Sequence, residues 1–139
     1  MSKLVRFGVS LEKELLGQLD RLLKEKGYSN RSEAIRGLIR QELVAREWKE
    51  AKSEVVGAIS LVYDHHRREL VNKLTALQHD FGGIIIASQH IHIDHNNCLE
   101  IIAVRGRPHA IQALADRMRA TKGVKHGELA MTTTGSGLD

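Results

Sequence analysis

Four side chains that can bind a transition metal lie within nine positions of the sequence. The stretch HIHIDHNNC, residues 90–98, holds His90, His92, His95 and Cys98, which is the only cysteine among 139 residues. Imidazole nitrogens and a thiolate sulfur together suit zinc, copper, nickel or cobalt. Tetrahedral ligation would indicate zinc, whereas planar ligation would indicate nickel or copper, and the sequence does not give the geometry. The stretch therefore predicts a transition-metal site without naming its metal.

The pattern of the same stretch explains how the ligands could converge. His90 and His92 are two residues apart on a predicted strand, so their side chains leave the same face. Asn96-Asn97 indicates a turn, because asparagine tolerates positive φ angles, and Cys98 then begins the return strand. Three ligands would lie together. The candidates for a fourth ligand are His95, His79 at the end of the preceding predicted helix, and a residue of another subunit.

The remaining titratable groups give little support for catalysis. A hydrolytic zinc site needs an open coordination position and a nearby general base. Asp94 and Glu100 are the only carboxylates near the predicted ligands, and neither lies in a recognised catalytic motif. The chain is therefore predicted not to be an enzyme. Four further histidines are interpreted as surface polar residues: His65, His66, His109 and His126.

The hairpin belongs to a longer region, residues 54–134, that alternates between strand and helix patterns. Strands are predicted at 54–63, 82–95, 98–106 and 124–134, and helices at 65–80 and 107–123. The order β-α-β-β-α-β is typical of the ferredoxin-like fold, with four antiparallel strands and two helices on one face. Residues 135–139 are predicted to form a disordered tail. The predicted class of the whole chain is α+β.

Residues 1–50 predict a separate module that begins with a strand. In the stretch 4–10, apolar Val5, Phe7 and Val9 alternate with small or polar residues, which is a period of two. Two helical patterns follow, with Gly27 as the stop of the first and Asn30 as the cap of the second. A lone strand leaves its backbone groups unpaired. We expect two copies to pair their strands in an intertwined βαα dimer, a two-stranded ribbon over four helices.

Such a ribbon would fit the major groove of double-stranded DNA. Its open face would present Arg6, Gly8 and Ser10 from each copy to the bases. Phosphate contacts are expected at the start of the second helix, where N–H groups are free and the dipole favours anions. The predicted phosphate-binding residues are Asn30, Arg31 and Ser32.

The composition of the chain also limits the class of protein, and it is consistent with two separate modules. Residues 1–50 carry 11 Lys and Arg against 8 Asp and Glu, and all eight histidines come at position 65 or later. Two modules with different tasks would produce this division. No apolar run reaches the ~18 residues of a membrane span, and the N-terminus lacks a signal-peptide core. A single cysteine fits a reducing compartment, so a cytoplasmic protein without membrane partners is predicted.

Two motifs resemble known families. GYSNRSEAIR at 27–36, after the N-terminal strand, resembles the ribbon-helix-helix repressors. Gln78-His79, followed by HIHIDHNNCLEI from position 90, is similar to the nickel-responsive transcriptional regulators. The resemblance extends over residues 3–130, and the His-x-His-x5-Cys segment with a histidine 11 residues upstream is its most specific part.

The resemblance to the nickel-responsive regulators implies a function and a ligand set. It implies a nickel-dependent repressor that binds a double-stranded DNA operator as a homotetramer, a dimer of dimers, with no small-molecule substrate. One Ni(II) per chain would be held by His90, His92 and Cys98 of one subunit and by His79 of a subunit across the tetramer interface. Tyr63, Gln78 and Glu100 would support these ligands, and the C-terminal module would be an ACT-like tetramerisation domain.

Two positions depart from the family pattern. Gly8 stands at a base-reading position where family members often carry threonine. A weaker cation site would use Glu33 and an acidic residue one turn later, where this chain has Gly37. Two other functions remain alternatives: a regulator that responds to an amino acid or another metal through its ACT-like domain, and a metal-dependent hydrolase with an unrelated basic N-terminus.

Overall fold

The computed structural model describes residues 3–139, which contain four helices and four strands. The helices are α1 (Lys13–Lys26), α2 (Arg31–Glu50), α3 (Arg68–Asp80) and α4 (Pro108–Ala120), and the strands are β1 (Val55–Asp64), β2 (Ile85–His92), β3 (Asn97–Gly106) and β4 (Val124–Met131). The order of the elements from β1 onward is the predicted β-α-β-β-α-β.

The four strands form one antiparallel sheet in the order β2-β3-β1-β4. Strand β1 lies in the centre, between β3 and β4, and β2 is an edge strand. This order with two crossover helices is the ferredoxin-like arrangement, so the predicted fold of the C-terminal region is confirmed. The register of β3 against both neighbours decides which side chains meet at the candidate site.

Alternation along the strands builds the core. Every second residue of β1 and of β3 is buried, as expected for a sheet with one face covered by helices. The buried side chains are mostly aliphatic, in keeping with the low aromatic content: Ile59, Leu61, Leu70, Leu74, Ile102, Val104, Ile111, Leu114 and Met118. Pro108 occupies the first turn of α4, where a missing N–H costs nothing.

The described part of the N-terminal module has its two predicted helices but no strand. Helix α1 ends at Lys26 and is capped by Gly27, whose φ of 74° is the left-handed conformation that favours glycine at a C-terminal cap. Residues 3–12 pair with no strand among the described residues. The predicted buried face is open instead, since Val5, Phe7 and Val9 are 79%, 72% and 57% exposed. These apolar side chains line a groove of about 650 Å³ with residues of α1 and α2.

The described chain divides into two compact units inside α2. One unit reaches Leu43 and includes Gly135–Asp139, and the other is Val44–Thr134. The end of α2 belongs to the second unit because Trp48 is buried there and its Nε1–H donates to the carbonyl of Thr132 at 2.8 Å. In the first unit, Arg40 Nε donates to the carbonyl of Leu138 at 2.8 Å, within the tail for which disorder is predicted.

None of the helices in residues 3–139 combines the length and the apolar character that crossing a membrane requires.

Candidate functional site

The β2–β3 hairpin places two of the predicted ligands directly opposite each other. His92 faces Cys98 across the strand pair, and His90 faces Glu100. Opposite residues of an antiparallel pair share a face of the sheet, with Cβ atoms about 4.5–5.5 Å apart. His90, His92 and Cys98 therefore lie on one face of the hairpin, as the period of two predicts.

Asp94 shapes the turn between the two strands. Its Oδ1 accepts hydrogen bonds from the backbone N–H groups of Asn96 and Asn97 at 2.9 and 2.8 Å. The bond from the Asn97 N–H is the main cause that lowers the pKa of Asp94. The carboxylate thus acts as an acceptor within the turn, and this geometry fixes where β3 begins and hence where Cys98 lies.

Cys98 is buried beside a phenol. Cys98 is 1% exposed. Strand β3 lies between β2 and β1, so Cys98 faces His92 on β2 and Tyr63 on β1. Burial raises the pKa of the Cys98 thiol, while a hydrogen bond with Tyr63 opposes this effect. Because the thiolate is the form that binds metals, metal binding at Cys98 must displace a proton that burial otherwise retains.

A buried carboxylate links three residues of the candidate site. Glu100 is fully buried, with Oε1 accepting from the Tyr63 hydroxyl and Oε2 from Gln78 Nε2, both at 2.7 Å. Burial, followed by the bond to Glu100, raises the pKa of Tyr63. His90 lies against this group, with Nε2 at 3.4 Å from Glu100 Oε2 and Nδ1 at 3.5 Å from the Tyr63 oxygen. The structure therefore brings Tyr63, Gln78 and Glu100 together around one predicted ligand.

His79 is exposed in the last turn of α3, and within the described chain its side chain forms no hydrogen bond or ion pair with the other predicted ligands. From residue 3 to residue 139, no three His, Cys, Asp or Glu side chains form a group that could hold a metal ion. One chain therefore aligns His90, His92 and Cys98 on a common face without completing a metal site.

Two histidines that the sequence indicates as surface residues lie next to the hairpin. The ring of His65 stacks on that of His92, with centroids 4.6 Å apart and planes at 8°, and also contacts His66. His65 Nε2 is buried without a hydrogen-bond partner among the described residues. The strand order explains why His65 and His66 lie next to the hairpin. Because β1 pairs with β3 and Asp64 faces Asn97, the residues after Asp64 must lie near the start of β3.

The start of α2 has the predicted cap. Asn30 Oδ1 accepts from the N–H of Glu33 at 2.9 Å, which is one half of a capping box. The Glu33 carboxylate does not reach back to Asn30 but forms an ion pair with Arg36 one turn later. At Gly37, a Cβ atom would collide with the hydroxyl of Tyr28. At the two positions of the expected weaker cation site, the Glu33 carboxylate is thus paired with Arg36, and the space beside Gly37 is filled by the phenol of Tyr28.

The residues of the predicted DNA-binding surface are all exposed: Arg6, Gly8, Ser10, Asn30, Arg31 and Ser32. Arg31 differs from the expectation of a free cation. Its Nε and Nη2 donate to Oδ1 and Oδ2 of Asp20 on α1, each at 3.0 Å. The hydrogen bond from Arg31 lowers the pKa of Asp20.

Comparison with known proteins identifies both modules. Residues 56–132 match the family model described as the NikR C terminal nickel binding domain, and residues 5–46 match the ribbon-helix-helix protein, copG family. The first match contains every predicted ligand on the hairpin and His79. The second contains all the predicted DNA-contacting residues and confirms the predicted ribbon-helix-helix class of the N-terminal module.

Similar proteins match over their full length. A protein of Syntrophus aciditrophicus assigned as a nickel-responsive regulator is 56% identical over 97% of this chain and 98% of its own. Proteins of Solibacter usitatus and Thermococcus onnurineus with the same assignment are 52% and 50% identical over 98% of this chain, covering 98% and 99% of their own lengths.

One solved structure supports the fold alone. An uncharacterized protein from Thermotoga maritima superposes with a TM-score of 0.51 at 15% identity, over 56% of this chain and 96% of that chain. Its extent agrees with a single ferredoxin-like module. The matches to both modules, and the likeness to full-length relatives, show that this chain belongs to the family of nickel-responsive regulators with a ribbon-helix-helix module and a NikR-type C-terminal domain.

Proposed function

We propose that this protein is a cytoplasmic, nickel-dependent transcriptional repressor that binds double-stranded operator DNA as a dimer of dimers. The observation that carries the metal assignment is the register of the hairpin, in which His92 faces Cys98 and His90 faces Glu100. These residues lie in the region that matches a nickel-binding domain. The full-length relatives assigned as nickel-responsive regulators support the same reading.

The proposed centre holds one Ni(II) per chain. Its ligands are His90, His92 and Cys98 of one chain and His79 of another chain in the tetramer. Imidazole and thiolate donors suit nickel, and the exposed position of His79 in the last turn of α3 supports a contribution to a neighbouring site. Bound nickel would supply a bridge between subunits.

The residues around Glu100 have a positioning role in this proposal. Ligand imidazoles are usually oriented by a carboxylate or another acceptor, and such neighbours tune metal affinity. Here Glu100 orients the His90 ring, while Tyr63 and Gln78 hold the Glu100 carboxylate in place through bonds of 2.7 Å. The buried carboxylate also places a negative charge beside the cation.

The DNA-binding half rests on residues 1–50 and the regulatory half on residues 54–134. Paired strands from two copies would cover the exposed apolar side chains of residues 4–9 and present Arg6, Gly8 and Ser10 to the major groove. Asn30, Arg31 and Ser32 would lie towards the phosphates. Metal-linked assembly would favour one spacing of the two DNA-binding dimers. The affinity for DNA would then differ between the metal-bound and the metal-free protein.

A cysteine variant tests the proposal. In the full-length protein, Cys98→Ala is expected to remove the thiolate-to-nickel absorption bands and the nickel dependence of operator binding, measured by gel shift with and without Ni(II). His95→Ala, from the same hairpin, is the matched control and should retain both. Nickel-dependent operator binding by Cys98→Ala would refute the proposed ligand set.

A further inference from the structure

An ion pair within the N-terminal unit bears on how strongly the protein binds DNA. Arg31, the first residue of α2, donates two parallel hydrogen bonds to the Asp20 carboxylate of α1, both at 3.0 Å. Both side chains remain about half exposed, at 56% and 47%. An exposed ion pair is usually weak, but the bidentate arrangement is the geometry in which such pairs persist.

The pair changes what Arg31 can offer to a phosphate. Its Nε–H and one Nη2–H are used by the carboxylate, and its positive charge is balanced by a negative charge at contact distance. The neighbouring exposed residues at the start of α2, Asn30 and Ser32, carry no charge. This end of the proposed DNA surface therefore has less positive charge than the sequence NRS indicates.

We propose that Asp20 limits the affinity of this protein for DNA by retaining the guanidinium of Arg31 in an intramolecular pair. The inference rests on the proposed DNA-binding function and adds a residue to it. Asp20 touches no DNA in this proposal and acts only through Arg31. Because phosphate contacts are common to all sequences, the limit applies to operator and non-operator DNA alike.

The dependence of binding on salt measures this effect directly. Each cation that neutralises a phosphate adds about 0.9 to the slope of log affinity against log salt, or about a 3.5-fold change in affinity for a four-fold change in salt. Asp20→Asn keeps the size of the side chain and removes its charge, so it frees Arg31. Each DNA-binding dimer contains two such pairs, so the slope should become steeper by about 1.8 for each dimer of the protein that is bound to DNA.

The experiment measures binding of the full-length protein to a labelled duplex of random sequence over a range of KCl concentrations, by fluorescence anisotropy. Asp20→Asn should bind more tightly than wild type at low salt and show the steeper slope. The double variant Asp20→Asn/Arg31→Gln should return to the wild-type slope. Glu25→Gln removes an exposed carboxylate of the same helix that has no ion pair among the described residues, and it controls for overall charge.

Two results would overturn the inference. An unchanged slope in Asp20→Asn would mean that Arg31 reaches no phosphate once released. A steeper slope that persists in the double variant, or appears equally in Glu25→Gln, would assign the effect to overall charge. Thermal unfolding of each variant verifies that it is folded. The use of random DNA separates this test from the proposed function. Failure to recognise the operator in the presence of nickel would contradict the proposed function but would not change the result expected here.

Discussion

At the scale of single residues, the candidate centre combines one buried acid with one buried thiol. Glu100 is fully buried but hydrogen-bonded on both oxygens, which is the condition under which a buried carboxylate is tolerated. Cys98, two residues earlier on β3, is also buried, and this burial raises the pKa of its thiol and so favours the neutral form. A metal cation would compensate both groups, since it stabilises the thiolate and balances the carboxylate.

Glu100→Gln tests the positioning role of the carboxylate. The amide keeps its size but loses the charge and one acceptor, so Tyr63 and Gln78 can no longer both donate to it as they do now. We expect nickel affinity to fall by about 10- to 100-fold, measured by competition with a chelator. The absorption bands at saturation should persist because no ligand is lost. Glu128→Gln on β4 is the control, and an unchanged affinity in Glu100→Gln would exclude the role.

The Asp20–Arg31 pair predicts a pH-dependent contribution to stability. The pKa of Asp20 is lowered from its usual 3.8 by the Arg31 hydrogen bond, so the folded state favours the ionised form. The contribution is therefore present above pH 3.8 and is lost as the pH falls through the lowered folded-state pKa. In metal-free protein, the melting temperature of wild type should exceed that of Asp20→Asn at neutral pH, and the gap should close in acid. A gap that is independent of pH would contradict this account.

At the scale of elements, the hydrophobic period predicts most of the chain. Gly27 caps the C-terminal end of helix α1 as expected, and β3 is predicted to within one residue because a turn and a buried alternating run define it. The ends of β2 and α3 differ more. Helix α3 begins at Arg68 rather than at residue 65, since Asp64 accepts the N–H of His66 in a turn. Helix α2 ends at Glu50, before Ala51 with its positive φ of 56°.

Other features could not be predicted because they depend on which elements pack together. The Asp20–Arg31 pair joins residues 11 positions apart on two helices, and no local sequence pattern predicts it. The stacking of His65 on His92 requires the strand order β2-β3-β1. The stretch 4–10 has a clear period of two, yet it pairs with no strand among residues 3–139 and its apolar side chains are exposed.

The N-cap of α2 gives a prediction at this scale. Asn30→Ala removes the acceptor of the Glu33 N–H, and we expect a loss of about 1 kcal/mol in the free energy of unfolding. Asn30→Asp should retain the cap, since a carboxylate accepts the same bond and suits the helix dipole. Chemical denaturation monitored by circular dichroism measures both variants. Equal losses in the two would mean that the cap is not what Asn30 contributes.

At the scale of the whole molecule, the family assignment decides between the functions that the sequence left open. Membership in a family of transcriptional regulators, shown over the full chain, confirms that the protein is not an enzyme. Under the proposed ligand set, one chain holds three ligands on its hairpin, and the fourth, His79, would come from another chain. A sensor whose metal site exists only between subunits can convert metal binding into assembly.

Shared ligation makes a prediction that only an intersubunit site satisfies. His79→Ala and Cys98→Ala should each lack the thiolate-to-nickel bands when expressed alone, because each removes one ligand from every site. When the two variants are expressed together with different tags and purified through both, some sites combine His79 of one chain with Cys98 of the other. Part of the absorption should then return. If His79 instead completed the site of its own chain, every site in the mixed tetramer would still lack a ligand, and the bands would stay absent.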